Sequence, residues 1–280
     1  MKKFITIDDL SQEDIAEIFS LADNAHRLKP TDTGIFACYS FEGNSIRTRA
    51  TFIKALSDLG ISGVELPNIL GTKEAPKHLA GYLDNWLDLY IIRAADHEKL
   101  SLFARYTSKP TINAMSSEAH PCEVLADAYS IQRRKGQLKN LKYCIIGPPT
   151  NVLNSWQRLG QVLGLEIVHV LPEEYASKGV VSALITTDKS VGLKEADIIL
   201  TDAWPSGFQD KDYQLTLEDV KMAKADAWVI PCPPFNTQNE VHQDVIDSGY
   251  FAGYGQKEFL YQVQKAIIWL MVNRNKVGAG

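Results

Sequence analysis

The sequence predicts an α/β protein of two similar domains, each a parallel sheet with helices on both faces. Three observations predict it. Short apolar runs alternate with segments of helical period along most of the chain. Several of these runs are apolar throughout, as strands covered on both faces are. One polar stretch, RRKGQLKN at 133–140, divides the alternation into halves of similar size.

The elements follow in order. A helix is expected over 11–29, then strand FACYSF (36–41) and a helix over 45–60. In that helix Phe52, Ala55, Leu56 and Leu59 share one face, Ser45 is the expected N-cap and Gly60 the stop. Strands GVEL (63–66) and LYIIR (89–93), a helix over 97–107, strand TINA (111–114) and a helix over 121–135 complete the first half. Pro121 suits the first turn of that last helix. The second half reads as strand LKYCIIG (141–147), helix 154–164, and strands EIVHVL (166–171) and DIILTDAW (197–204). Helix 216–223, strand AWVIPC (227–232) and helix 241–248 follow. A final helix over 257–275 carries Phe259, Leu260, Val263, Ile267, Leu270 and Met271 as its apolar positions, and is expected to pack back on the first half. The expected domains are 1–133 and 134–256, with 257–280 returning to the first.

Composition bounds the function. The 280 residues carry a net charge of −5, with 45% hydrophobic and 22% charged residues, so no global basic field favours nucleic acid. The four cysteines are far apart and form no C-x-x-C pair, which argues against a zinc site or a disulfide framework and fits a reducing cytoplasm. The opening MKKFITIDDLSQED turns acidic too early for a secretory signal. The run AIIWLMV (266–272) is too short to span a bilayer. A cytoplasmic protein is expected.

Candidate site residues lie where strands give way to helices. Ser45, Ile46, Arg47 and Thr48 follow strand 36–41, where free N–H groups and the helix dipole favour an anion. Arg47 adds a bidentate fork and the hydroxyls add donors. A capped surface helix with solvated arginines fits the segment equally well. Arg93 ends another strand, where a structural ion pair is the commoner use. His120 starts a helix, where caps and core histidines are commoner than catalysts. All three elements end in the same sense, so their tips can line one crevice at the sheet's carboxyl edge.

The chain resembles the aspartate/ornithine carbamoyltransferases. The resemblance rests on an ordered set: S-x-R-T-R at 45–49, Arg93, H-P-C at 120–122, N-V-x-N-S at 151–155, D-x-W-x-S at 202–206, P-C-x-P at 231–234 and Glu240-Val241. The H-P-C, D-x-W-x-S and Cys232 features are those of the ornithine branch. The resemblance implies a carbamoyl phosphate-binding first domain, an amino-acid-binding second domain and a homotrimer with sites at subunit interfaces. It implies that Ser45, Ile46, Arg47 and Thr48 hold the phosphate, that Arg93 and His120 reach the carbamoyl oxygen, and that Asn151, Asp202 and Ser206 hold the acceptor. Cys232 then lies near the reacting amine, and 71–78 lies in the region of the loop that a neighbouring subunit supplies, where Lys73 and Lys77 add charge, although a solvated loop is the commoner role for such lysines. No metal or organic cofactor is expected. A dinucleotide-binding oxidoreductase is disfavoured, because Gly147-Pro148-Pro149 lacks G-x-G-x-x-G.

The chain departs from the family's pattern in four places. Glu123 stands where H-P-x-Q has the glutamine whose oxygen accepts from the carbamoyl NH2 group; it is expected in that carbamoyl phosphate-binding role, with a surface glutamate in the helix's first turn as the alternative. Ser206 is followed by Gly207-Phe208 where the ornithine branch has Met-Gly. KEFLYQVQK (257–265) lacks the usual arginine, with Gln256, Gln262 and Gln264 as possible substitutes. Pro148 replaces an acidic residue after Gly147. Two alternatives therefore stand beside an ornithine-like acceptor: another amine or amino acid, and a non-catalytic carbamoyl phosphate- or anion-binding regulatory homologue.

Overall fold

The computed structural model describes residues 2–29, 34–176 and 184–274. The chain divides into two compact units, one of 1–129 with 259–280, the other of 130–258.

In the first unit a five-stranded parallel sheet is built from β1 (Lys3–Phe4), β2 (Phe36–Phe41), β3 (Ser62–Glu65), β4 (Leu89–Arg93) and β5 (Thr111–Met115), in the order β1-β5-β4-β2-β3. Helices α1 (Gln12–Asp23), α2 (Ile46–Asp58), α3 (Pro76–Leu83), α4 (His97–Tyr106) and α5 (Pro121–Lys135) lie between or after the strands. Leu89 to Ile92 are fully buried, so both faces of β4 are covered. Tyr90 and Ile92 pack with Ala80 of α3 and with Leu100 and Phe103 of α4. The division between the units falls inside α5, whose last residues, Arg133 to Lys135, begin the polar stretch expected as the boundary.

The second unit repeats the plan with β6 (Lys142–Ile146), α6 (Asn151–Leu163), β7 (Glu166–Val170), β8 (Leu184–Thr186), α7 (Lys189–Leu193), β9 (Ile198–Thr201), α8 (Leu217–Val220), β10 (Trp228–Pro231) and α9 (Gln243–Ile246). Its strand order is β10-β9-β6-β7-β8, again all parallel. Cys144 and Ile146 pack with Leu193, Ile199 and Val229, while Tyr143 meets Trp156 of α6 at 5.8 Å between ring centres.

The last helix, α10 (Leu260–Arg274), belongs to the first unit and packs on α1 and α2. Residues 275–280 of the expected C-terminal segment lie outside the described residues. No helix among the described residues is long and apolar enough to cross a membrane.

Several expected elements change. Helices 216–223 and 241–248 shrink to the four-residue α8 and α9, opened by the N-caps Thr216 and His242 and each burying a single side chain, Val220 and Val245. The expected helix 11–29 ends at Asp23 and continues as a 3-10 turn, Ala25–Arg27. The loop 71–78 is interrupted by α3, which begins at Pro76 and takes in Lys77. The two-residue β1 and the short α3, β8 and α7 were not expected from the sequence.

Candidate active site

In the first unit the site is built at the carboxyl edge of the sheet. After β2, Gly43 (φ +70°) and Ser45 (φ +43°) take left-handed backbone conformations and turn the chain into α2. Ser45 occupies the N-cap position, but its side chain makes no capping bond. Its Oγ instead accepts a 3.2 Å hydrogen bond from Nη1 of Arg93. The expected capping role is thus replaced by a bond to the neighbouring strand's end, because a left-handed Ser45 turns its hydroxyl away from the helix. Ile46 is 75% exposed and Arg47 is exposed, whereas Thr48 is buried. Arg49 braces the turn: it donates to the Gly43 carbonyl at 3.1 Å, pairs with Glu65 at 3.3 Å and stacks 5.5 Å from the Phe41 ring centre.

Arg93 sits at a register shift between β4 and β5, a local irregularity that re-aims a side chain. Burial lowers its pKa, and the carboxylates of Glu123 and Glu42 oppose that effect. Glu42 Oε2 accepts from the Ala95 backbone at 2.6 Å, tying the turns after β2 and β4 together. His120 immediately precedes α5, on a turn held by Asn113, whose amide donates to the Ala119 carbonyl at 3.4 Å. His120 Nε2 lies 4.0 Å from Glu123 Oε2. Glu123 is only 4% exposed, so it is a buried carboxylate facing a histidine and an arginine, not a surface helix-start charge. Cys122 points into the core, its thiol 3.5 Å from the Asn113 carbonyl and its pKa raised by burial.

In the second unit Gly147 (φ +117°) ends β6, Thr150 caps α6 by accepting from the Leu153 N–H at 3.2 Å, and Asn151 opens the helix. The 202–206 segment follows β9. Asp202 is half-buried and Ser206 exposed. Phe208 turns inward and meets Trp204 at 5.0 Å and Tyr213 at 6.0 Å, joining the core of this unit. The Gly207-Phe208 departure therefore puts an aromatic into the packing under the loop. Cys232 follows β10, with its N–H donating to the Thr201 carbonyl at 2.9 Å. Asn151, Asp202 and Cys232 thus sit at the carboxyl ends of β6, β9 and β10.

Two neighbours of this cluster were not singled out from the sequence as site residues. Glu240 is fully buried, and its Oε1 accepts from the Asn236 N–H at 2.6 Å. Burial raises its pKa, and the Asp202 charge adds to the rise. Lys211 donates to the Gln238 carbonyl and places its ammonium 5.8 Å from the Trp204 ring centre. Lys211 lies outside the motif windows, which is why sequence reading passed over it. Among the three glutamines, Gln256 donates to the Pro231 carbonyl at 3.0 Å, while Gln264 of α10 is fully buried with no hydrogen bond to either amide atom. Among the described residues no cluster of three or more His, Cys, Asp or Glu could hold a metal ion.

Open parallel sheets with polar turns at their carboxyl edges define a two-domain α/β protein of the class that binds small molecules at those edges. Residues 2–133 match the family model "Aspartate/ornithine carbamoyltransferase, carbamoyl-P binding domain", and residues 139–271 match its "Asp/Orn binding domain". The chain is 30% identical to the ornithine carbamoyltransferase of Methanococcus aeolicus over 94% of this chain and 97% of that one. It is also 30% identical to the enzyme of that name from Methanocaldococcus jannaschii, over 96% and 99%. The solved ornithine carbamoyltransferase of Pyrococcus furiosus superimposes with a TM-score of 0.87 at 29% identity, covering 97% of each chain. The chain belongs to the aspartate/ornithine carbamoyltransferase family.

Proposed function

We propose that this chain transfers the carbamoyl group of carbamoyl phosphate to the amine of an ornithine-like amino acid, releasing phosphate. The observation that carries the reading is the junction at the edge of the first sheet. There the Arg93 guanidinium bonds Ser45 at the start of α2, beside buried Thr48 and exposed Arg47.

The chemistry suits these groups. A neutral amine attacks the carbamoyl carbon, negative charge gathers on the carbonyl oxygen, and phosphate leaves. Fixed donors at that oxygen stabilise the transition state. Thr48, Arg93 and His120 fill this role. Ser45, the Ile46 N–H and Arg47 hold the departing phosphate with the help of the helix dipole. Glu123 replaces the family's glutamine as acceptor for the carbamoyl NH2 group. Asn151, Asp202 and Ser206 hold the acceptor's amino-acid end, and Cys232 lies by the reacting amine. An amine of lysine type has a pKa of about 10, so the site must favour its neutral form.

The family supports a homotrimer with sites at subunit interfaces, in which the 71–78 segment reaches a neighbouring subunit. The four cysteines, all buried, fit a cytoplasmic location.

The test is a panel. Purified protein and carbamoyl phosphate are incubated with ornithine, lysine, putrescine, N-acetylornithine and aspartate, and both phosphate release and carbamoylated product are measured. Preference for ornithine supports the reading, and preference for aspartate overturns the branch. A second reading, a non-catalytic carbamoyl phosphate-binding homologue, is favoured by one observation: α10 opens with Leu260 and has no arginine in its first turns. Binding of carbamoyl phosphate without turnover of any amine would select it.

A further inference from the structure

We propose that His169 and Gln157 form a positioning pair that fixes the Gly147 peptide, and thereby the Asn151 turn and its packing against Trp204, for acceptor binding. The proposal rests on the functional reading above, in which Asn151 and the 202–206 segment hold the acceptor.

His169 of β7 is fully buried, and Gln157 of α6 nearly so. His169 Nε2 lies 2.8 Å from the Gly147 carbonyl oxygen. A carbonyl only accepts, so Nε2 carries the proton. Nδ1 is then a lone pair, and it accepts from the Gln157 amide at 2.6 Å. The chain of donors runs one way, from Gln157 through His169 to Gly147. Burial holds the imidazole neutral, with a pKa of about 4.

Packing alone does not call for this pair. On β7, Ile167 shares the face of His169 and is apolar and buried, and an apolar side chain at 169 would extend that face. A buried imidazole and a buried amide are tolerated only because they bond each other and a carbonyl. The carbonyl they reach belongs to the residue where the acceptor turn begins.

The Gly147 peptide is held from several sides. Its N–H donates to the Val170 carbonyl at 3.0 Å, and its φ of +117° is one that only glycine adopts readily. A Cβ built on Gly147 would lie 3.5 Å from Trp204 Nε1, so the indole rests on this peptide. Two prolines follow, each with φ restricted, and then Thr150 and Asn151. Little freedom remains between Gly147 and Asn151, so whatever orients the first orients the second. Gln157 lies on the helix that Asn151 opens, so the pair ties α6 to β7 and to the end of β6.

The test compares two polar substitutions. His169→Gln places an amide donor where Nε2 stood and keeps the bond to Gly147. His169→Asn reaches only Gln157 and loses Gly147. With ornithine as the acceptor, His169→Asn should raise the acceptor KM about tenfold, the equivalent of one lost hydrogen bond. His169→Gln should stay within about twofold on the same scale. The carbamoyl phosphate KM should not move in either. Hydrogen–deuterium exchange should quicken at 147–153 and 202–208 in His169→Asn and stay unchanged over 36–129. Gln157→Leu, which deletes the amide at similar length, should show the same local exchange and serves if His169→Asn does not fold. An unchanged acceptor KM in folded His169→Asn, or unchanged exchange at 147–153 in both His169→Asn and Gln157→Leu, overturns the proposal. If the unmodified protein turns over no ornithine, the functional reading fails instead, and the exchange pattern alone decides whether the pair fixes the turn.

Discussion

The hydroxyl of Ser45 accepts a hydrogen bond from the guanidinium of Arg93, 48 residues further along the chain. The bond joins the turn after β2 to the end of β4. It explains how a serine at the start of a helix serves the site without capping the helix.

Ser45→Ala should therefore spare the fold and weaken carbamoyl phosphate binding by about 1 kcal/mol, the worth of one polar contact. Arg47→Ala, at an exposed position, should cost about 1.5–3 kcal/mol of the same binding with little change in thermal stability. Calorimetric titration of each folded variant is the check. Unchanged affinity in Arg47→Ala would remove that residue from the site.

Glu123→Gln removes a buried carboxylate that faces Arg93 and His120. The phosphate of the substrate is an anion, and a like charge nearby disfavours it. The variant should bind inorganic phosphate several-fold more tightly and carbamoylate at an altered rate. Identical phosphate affinity and kinetics from pH 6 to 9 would place the carboxylate away from the pocket.

His169 predicts a pH dependence of stability. A free imidazole titrates near 6.5, whereas burial holds this one at about 4. Between those values the unfolded chain binds the extra proton, so stability rises with pH across that window. The contribution is fully present above about pH 6.5 and lost by about pH 4, and amounts to about 3 kcal/mol. Unfolding midpoints of the unmodified protein and His169→Gln, compared at pH 7.5 and 4.5, should converge toward acid. Parallel pH profiles would contradict it.

Gly192→Ala tests the core of the second unit. A Cβ there would collide with Val170 and approach the Cys144 sulfur to 2.9 Å. Overpacking of this kind costs about 1–3 kcal/mol. The loss should appear in the unfolding midpoint. An unchanged midpoint would mean that β6 and β7 yield more readily than their packing indicates.

The sheets were legible because their strands hold unbroken apolar runs, such as LYII in β4 and YCII in β6. The shorter pieces were not: two residues of β1 and three of β8 carry too little pattern to stand out. The strand-end positions of Ser45, Arg93 and His120 could be read from element order alone. The bond between Ser45 and Arg93 could not, because no local rule links residues so far apart. His169 was hidden for the opposite reason. In EIVHVL it occupies one position of an apolar strand, and only the fold reveals that Gln157 and Gly147 surround it.

The return of α10 to the first unit bears on how the protein is made. The second unit, 130–258, is an insertion between two parts of the first. Domains tend to fold in the order in which they leave the ribosome. Here the unit that starts first finishes last. The faces of α1 and α2 that pack against α10 stay uncovered until all of the second unit has been synthesised. A nascent chain halted just before residue 259 would thus hold a complete second unit beside an unfinished first one. Chaperone contact with this protein is expected to concentrate on that waiting apolar surface.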